Sequence, residues 1–313
     1  MSGMDDALTT VTLKVNRFTP RPERDRGARG GSPFAKKGGS PFGGGASRNR
    51  RPRGKQWVQE YTLQVRPEDT VLDCLLTIKR TVDPTLAFRY SCGHGMCGSD
   101  AVAINGTPTL LCTATVADWA EHPNPLAQAD EEGFRHTGSA EDGIADDTDV
   151  SNAEDGLGVI ELAPLPGFPV QRDLIADIDP MLDQIRKLKP YLQADGVLAT
   201  TREGKVDVFE YLQNPQQLAK YETLTNCIAC GVCEGSCPVF AGGDAFIGPA
   251  ALIAASRFVN DSRDTATMAR LNAIDTADGV AACQSVRACS RQCPRGIDVG
   301  EEMWQIVARV KER

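Results

Sequence analysis

The segment 91–100 reads SCGHGMCGSD and sets Cys92, Cys97 and Asp100 four and two residues apart, with Cys112 following after a short apolar stretch. Thiolates at this spacing, closed by a distant fourth ligand, are the arrangement that holds a [2Fe–2S] centre. Asp100 stands where the third thiolate belongs, so either a carboxylate oxygen completes the set or the site is defective. Gly93, Gly95 and Gly98 suit a loop that wraps tightly enough to aim its N–H groups at cluster sulfurs. A zinc loop or buried structural thiols are the competing readings, and this spacing favours neither. His94 lies inside the loop but reads as a solvent-facing residue, because four better-placed donors surround it.

Two further runs carry the same chemistry. CIACGVCEGSCP spans 227–238 and CQSVRACSRQCP spans 283–294. In runs that end in Cys-Pro, three thiolates bind one cluster and the fourth reaches across to another. Crossing over assigns Cys227, Cys230, Cys233 and Cys293 to a [4Fe–4S] cluster, and leaves Cys237, Cys283 and Cys289 for the second. A four-iron site there would want a cysteine at 286, and that residue is Val286, so a [3Fe–4S] cluster is expected. Paired zinc ribbons are the alternative, and the two Cys-Pro endings argue against them.

The elements that position these loops follow from periodicity. Residues 9–18 and 57–65 alternate as strands and could form a hairpin. Residues 70–79 (TVLDCLLTIK) place Val71, Leu72, Leu75, Leu76 and Ile78 near one helical face behind a Thr or Asp cap, with Cys74 a small buried hydrophobe on that face. Residues 101–104 read as a strand, and the core pattern resumes at 159–162. From 172 the pattern turns helical, with Leu174, Ile175, Ile178, Met181, Leu182 and Ile185 at helical spacing.

Eleven cysteines in a chain whose start, MSGMDDALTT, lacks a basic and apolar leader argue for metal ligation over disulfides. No apolar run is long enough to span a membrane, so the chain is expected to be neither secreted nor transmembrane. The net charge of −8 conceals two opposed segments. Residues 21–55 hold 11 Lys or Arg against 2 acids and repeat GGSPF from Gly30 and Gly38. Residues 128–156 are acidic and short of large apolar residues. Neither composition can bury a core. The basic segment, with Phe34 and Phe42 in its SPF turns, reads as a solvated loop or as a strap over a neighbouring subunit. A nucleic-acid-binding or redox-sensing role is the rival reading; the sparse aromatics argue against it, and no nucleic-acid partner is expected.

Taken together, Cys92, Cys97, Asp100, Cys112, the two Cys-Pro runs and FIGPAALIAASRFVNDSRD at 246–264 resemble the iron–sulfur subunits of succinate dehydrogenase and fumarate reductase. Aspartate at the third position of the first loop is frequent in that family. The resemblance implies an α+β chain: an N-terminal β-grasp, plant-type [2Fe–2S] ferredoxin-like domain over 1–170, and a C-terminal all-α bacterial ferredoxin-like domain over 171–313. It also implies a role. Electrons would pass from the FAD of a flavoprotein subunit through the [2Fe–2S], [4Fe–4S] and [3Fe–4S] clusters to quinone at a membrane-anchor subunit, haem being a further group such partners hold. The chain would then sit peripherally on the cytoplasmic face of the cell membrane. Run backwards, the same wiring is a fumarate reductase. Ubiquinone-using relatives place Trp and His where this chain has Gly242 and Gln284, leaving Pro238 and Val286 as the expected quinone-site wall.

Overall fold

The computed structural model describes residues 8–21, 54–120, 156–194, 199–200, 203, 206–207 and 213–312. The interiors of the basic and acidic segments, including both SPF turns and the strap expected there, lie outside the described residues.

Strand β1 (Thr9–Pro20) pairs antiparallel with β2 (Gly54–Val65) in unbroken register from Thr9↔Val65 to Pro20↔Gly54. The alternation in β1 sends Val11, Leu13 and Val15 inward, where all three are fully buried. Helix α1 (Val71–Thr81) begins at Thr70, which forms a capping box with Asp73, and it buries Val71, Leu72, Cys74, Leu75 and Ile78 in the same core. Each such aliphatic side chain contributes roughly 1.5–3 kcal/mol of burial energy. Strands β3 (Ala101–Ile104) and β4 (Thr107–Leu110) form a second antiparallel pair, followed by the short helix α2 (Val116–Trp119). Strand β5 (Gly156–Ala163) then enters parallel to β1 and antiparallel to β3, giving the order β2-β1-β5-β3-β4. A helix packed on such a mixed five-stranded sheet is the expected β-grasp half.

The chain differs from expectation between 170 and 178. Instead of a helix from 172, Val170–Arg172 (β6) and Ile175–Ala176 (β7) form a small antiparallel ladder, and the helix α3 starts only at Asp179–Lys187. Asp173 explains the turn. It is fully buried at φ 45°, and its carboxylate accepts from Phe18 N (3.0 Å) and Ala87 N (2.9 Å). Arg17 Nε lies 3.0 Å from the same carboxylate, while Arg17 Nη1 donates to Asp83 (2.6 Å) and Tyr61 (2.7 Å). A helix through 173 would abandon these partners, and this long-range demand overrides the local period.

Beyond α3 a two-residue ladder joins β8 (Ala199–Thr200) to β9 (Val206–Asp207). The rest of the described chain is helical: α4 (Pro215–Leu218), α5 (Val232–Ser236), α6 (Pro238–Ala241), α7 (Pro249–Val259), α8 (Thr267–Ile274), α9 (Ala288–Arg291) and α10 (Val299–Lys311), with two 3-10 turns at Glu222–Asn226 and Val280–Ala282. Helix α7 runs through the middle of this half, and Leu252, Ile253 and Val259 meet Leu271, Ile274, Met303 and Ile306. A smaller apolar cluster of Leu165, Phe168, Ala176, Met181 and Ala250 joins the segments after β5 to α3 and α7.

Candidate metal centres

The first cysteine loop hangs from a fixed approach. Ala87 is held from both sides by Asp173 Oδ2 and Leu174 N, and Arg89 Nη1 donates to Ala176 O at 2.9 Å. Gly93, Gly95 and Gly98 then take φ values of 73°, 76° and 65°, and the turns they allow aim backbone donors at sulfur. Met96 N and Cys97 N point at Cys92 Sγ (3.4 and 3.3 Å), and Gly95 N points at Cys112 Sγ (3.2 Å). Backbone donors from His94 and Met96 hold the Cys92 thiol down to about 7. Ser99 Oγ lies 3.1 Å from Cys97 Sγ. His94 is exposed, its Nδ1 2.7 Å from Cys92 O.

Asp100 is only 2% exposed. Its Oδ2 accepts from Cys112 N at 2.7 Å, and its carboxylate also reaches the Cys112 thiol, which burial and this acid together push up to about 12. Oδ1 is buried with no hydrogen-bond partner. A buried carboxylate oxygen is rarely left bare, so the loop is short of one cation or donor at this atom. A donor set of Cys92, Cys97, Cys112 and this oxygen fits a two-iron cluster.

In the helical half, α5 and α6 meet at Cys237, and Gly231 at φ 81° turns the chain into α5. Cys227, Cys230 and Cys233 line one cavity together with the distant Cys293, and Ile253, Ile297 and Val299 supply an apolar wall. Cys237 is not in that lining. Beyond the effect of burial, Cys283 raises the Cys237 thiol, Cys237 and Cys283 both raise that of Cys289, and Cys289 raises that of Cys233 in the first set. Burial pushes the Cys230 and Cys289 thiols up to about 11. Such thiols ligate only as thiolates, and bound iron supplies the positive charge that replaces lost water. Among the described residues no three His, Cys, Asp or Glu side chains close on a single-ion site.

Around the three-cysteine set, Val286 is 49% exposed between two residues in left-handed backbone, Ser285 (φ 57°) and Arg287 (φ 62°). Arg287 is held by Asp298 (2.5 Å) and lies over the Trp304 ring at 4.6 Å. Pro238 opens α6 and is exposed, as are Gly242 and Gln284. No helix of the described residues is long and apolar enough to cross a membrane.

Sequence reasoning missed Glu234, which sits within the first Cys-Pro run. It is fully buried, and burial raises its carboxyl to about 8 against the pull of Ala250 N, which donates to Oε1 at 3.2 Å. Oε2 has no partner. Gly248, at φ 97°, leaves room for this carboxyl, since a Cβ there would collide with both of its oxygens. An acid inside CEGSC was a visible signal, but only the fold joins it to the glycine of FIGP. Gly98 was expected only as a loop glycine, and its packing on Cys230 was missed, as was Arg295, whose Nη1 lies 3.0 Å from Met96 Sδ.

Residues 12–183 match the family described as "2Fe-2S iron-sulfur cluster binding domain", and residues 223–297 match that described as "4Fe-4S dicluster domain". The chain is 33% identical over 240 residues to a fumarate reductase iron-sulfur subunit of Mycobacterium tuberculosis (strain CDC 1551 / Oshkosh), covering 77% of this chain and 80% of that one. It is also 33% identical over 265 residues to the mitochondrial succinate dehydrogenase [ubiquinone] iron-sulfur subunit of Dictyostelium discoideum, covering 82% and 78%. In fold it is similar to a chain of the Mycobacterium smegmatis Sdh1 complex in the apo form, with a TM-score of 0.65 at 20% identity over 98% of both chains.

Proposed function

Because the chain belongs to the family of succinate dehydrogenase and fumarate reductase iron–sulfur subunits, we propose that it is the electron relay of a succinate:quinone oxidoreductase. Electrons would enter from the FAD of a flavoprotein partner, pass through [2Fe–2S], [4Fe–4S] and [3Fe–4S] clusters, and leave to quinone at a membrane-anchor partner. The complex would hold this chain peripherally at the cytoplasmic face of the membrane. The division we propose is 1–170 for the two-iron domain and 171–313 for the helical one.

The observation that carries this reading is the grouping of the cysteines. Cys293 shares a cavity lining with Cys227, Cys230 and Cys233, and Cys237 lies outside it, while the thiols of Cys237 and Cys289 both answer to the charge of Cys283. We assign the first four to [4Fe–4S], the latter three to [3Fe–4S], and Cys92, Cys97, Asp100 and Cys112 to [2Fe–2S]. The bound clusters supply one-electron redox chemistry. The protein's part is to tune it: backbone N–H groups of Gly95, Met96 and Cys97 stabilise sulfur charge in the first loop. In the second site the apolar wall of Ile253, Ile297 and Val299 excludes water. Pro238 and Val286 flank the three-cysteine set and form the wall a quinone would meet. Direction is set by the quinone's potential and not by these residues, and relatives of both names match this chain.

The test is EPR of the purified complex. Oxidised protein should show a [3Fe–4S] signal, and succinate or dithionite should bring up [2Fe–2S] and [4Fe–4S] signals. Fully iron-loaded protein without the oxidised three-iron signal would overturn the assignment.

A further inference from the structure

The two-iron loop and the first Cys-Pro run meet at one tight point. Gly98 is buried, directly follows Cys97, and has a left-handed φ of 65°. A Cβ added there would stand 2.5 Å from Cys230 Cβ and 3.0 Å from Cys230 Cα, with Ile228 Cδ1 at 3.3 Å. Carbon atoms settle at roughly 3.5–4.0 Å, so any side chain at 98 must part the two loops by about 1 Å. The far side cannot simply retreat. Ile228 and Cys230 pack onto the N-terminal core, although they belong to the helical half's ligand run. A second tether brackets the first: Arg295, two residues after Cys293, reaches Met96, two residues before Gly98.

Turn geometry alone does not explain this glycine. Gly93 in the same loop has φ 73°, and a Cβ there would meet no atom within 4 Å. The backbone demand is shared by both positions, whereas the steric demand from another ligand loop belongs to Gly98.

Resting on the cluster assignment above, we propose that the Cys97–Gly98 backbone packed on Cys230 is the electron-transfer contact between the [2Fe–2S] and [4Fe–4S] centres, and that Gly98 is the positioning residue keeping it closed. One electron crosses. The reduced two-iron centre is oxidised by one electron and the four-iron centre reduced by one, with no bond made or broken and no proton moved. Tunnelling falls steeply with separation and is weaker across a gap than through packed atoms. A glycine that brings one ligand's backbone against the other ligand's Cβ therefore sets the coupling, and a methyl group there would lower it without touching a ligand.

The experiment compares Gly98→Ala, Gly98→Asn and Gly106→Ala in the assembled complex. Asn tolerates left-handed backbone better than Ala, so the second variant keeps the wedge with less strain. Three quantities are read: iron content of each centre, microwave-power saturation of the [2Fe–2S] signal with the four-iron centre reduced, and the rate of [4Fe–4S] reduction after rapid mixing with substrate. Gly106→Ala, in the β3–β4 turn with φ 77° and no atom within 4 Å of an added Cβ, carries the same backbone strain outside the ligand loop and should keep wild-type saturation and rate. Both Gly98 variants should saturate at lower power and pass electrons more slowly, with both clusters present. Wild-type saturation and rate in the Gly98 variants, or an equal loss in Gly106→Ala, would overturn the proposal. So would loss of a cluster confined to the Gly98 variants, which would make the contact one of packing alone. If wild-type protein lacks either centre, it is the cluster assignment that fails.

Discussion

Asp100 answers two demands with one carboxylate: Oδ2 holds the Cys112 amide in a buried place, and Oδ1 is bare. Substitutions separate the two. Asp100→Asn keeps an acceptor for Cys112 N and removes the anion, so it should fold with little change in melting temperature while retaining the two-iron cluster poorly. Asp100→Ala should lose the cluster and also cost about 1–3 kcal/mol from the stranded amide. Asp100→Cys should keep the cluster with a shifted EPR line shape and potential, since thiolate is the softer donor. Unchanged spectrum and potential in the alanine variant would remove Asp100 from the ligand set. Val286→Cys probes the opposite case, a missing donor. With a thiol between Cys283 and Cys289, the oxidised three-iron signal should disappear in favour of a four-iron centre. These donors were legible because cluster ligation fixes residue type and spacing within one loop. The contact of Gly98 with Cys230 was not, because the two lie more than a hundred residues apart.

Among the elements, α7 and α8 show what the segment 246–264 accomplishes. Asp264 accepts from Arg270 Nε (3.0 Å) and Nη2 (2.8 Å), and the same guanidinium donates to Leu188 O, Lys189 O and Tyr191 O while lying over Phe258. Arg270 thereby fastens the end of α3 to α7 and α8. Both charges are buried, so Arg270→Ala should cost about 3–5 kcal/mol by abandoning an acid and three carbonyls. Arg270→Lys should recover only part, lacking the fork. Acid dependence follows with a definite sign. Burial raises the Asp264 carboxyl, but the bonds from Arg270 and Gln193 N outweigh it, and the group ends below its ordinary value. Its contribution is therefore full above the usual carboxylate range, near pH 4, and lost as pH falls through the depressed folded value. Melting curves between pH 7 and pH 3 should show an acid limb that is shallower in Arg270→Ala. An identical acid limb in both proteins would exclude this pair as its source. Helix α1 was legible from its capping box and period, since both are local. The β6–β7 turn was not, because Asp173 answers to Phe18, Ala87 and Arg17.

At the scale of the molecule, a strand-bearing half followed by a helical one was readable from where period 2 gives way to period 3.6, and the β-grasp character came from the family resemblance alone. How the halves meet was not, because an apolar joint of Leu165, Phe168, Met181 and Ala250 looks in sequence like ordinary core. The hairpin offers the last prediction. Its ladder is paired to its end at Pro20↔Gly54, so the basic segment departs from and returns to adjacent positions in the sheet. Nothing in the β1–β2 register depends on what lies between. Deleting residues 25–53 leaves residues 21–24 to cross between paired Pro20 and Gly54, within the usual length of a hairpin loop. Shortening the connection from roughly thirty residues to about four lowers the closure entropy by about 2 kcal/mol in the flexible-chain limit. The deleted protein should therefore keep all its iron and melt no lower than the parent, as read by calorimetry and metal analysis. A lower melting temperature would mean that the segment's own contacts outweigh that entropy. Basic and glycine-rich as it is, the segment would then be part of the folded domain and not an excursion from it.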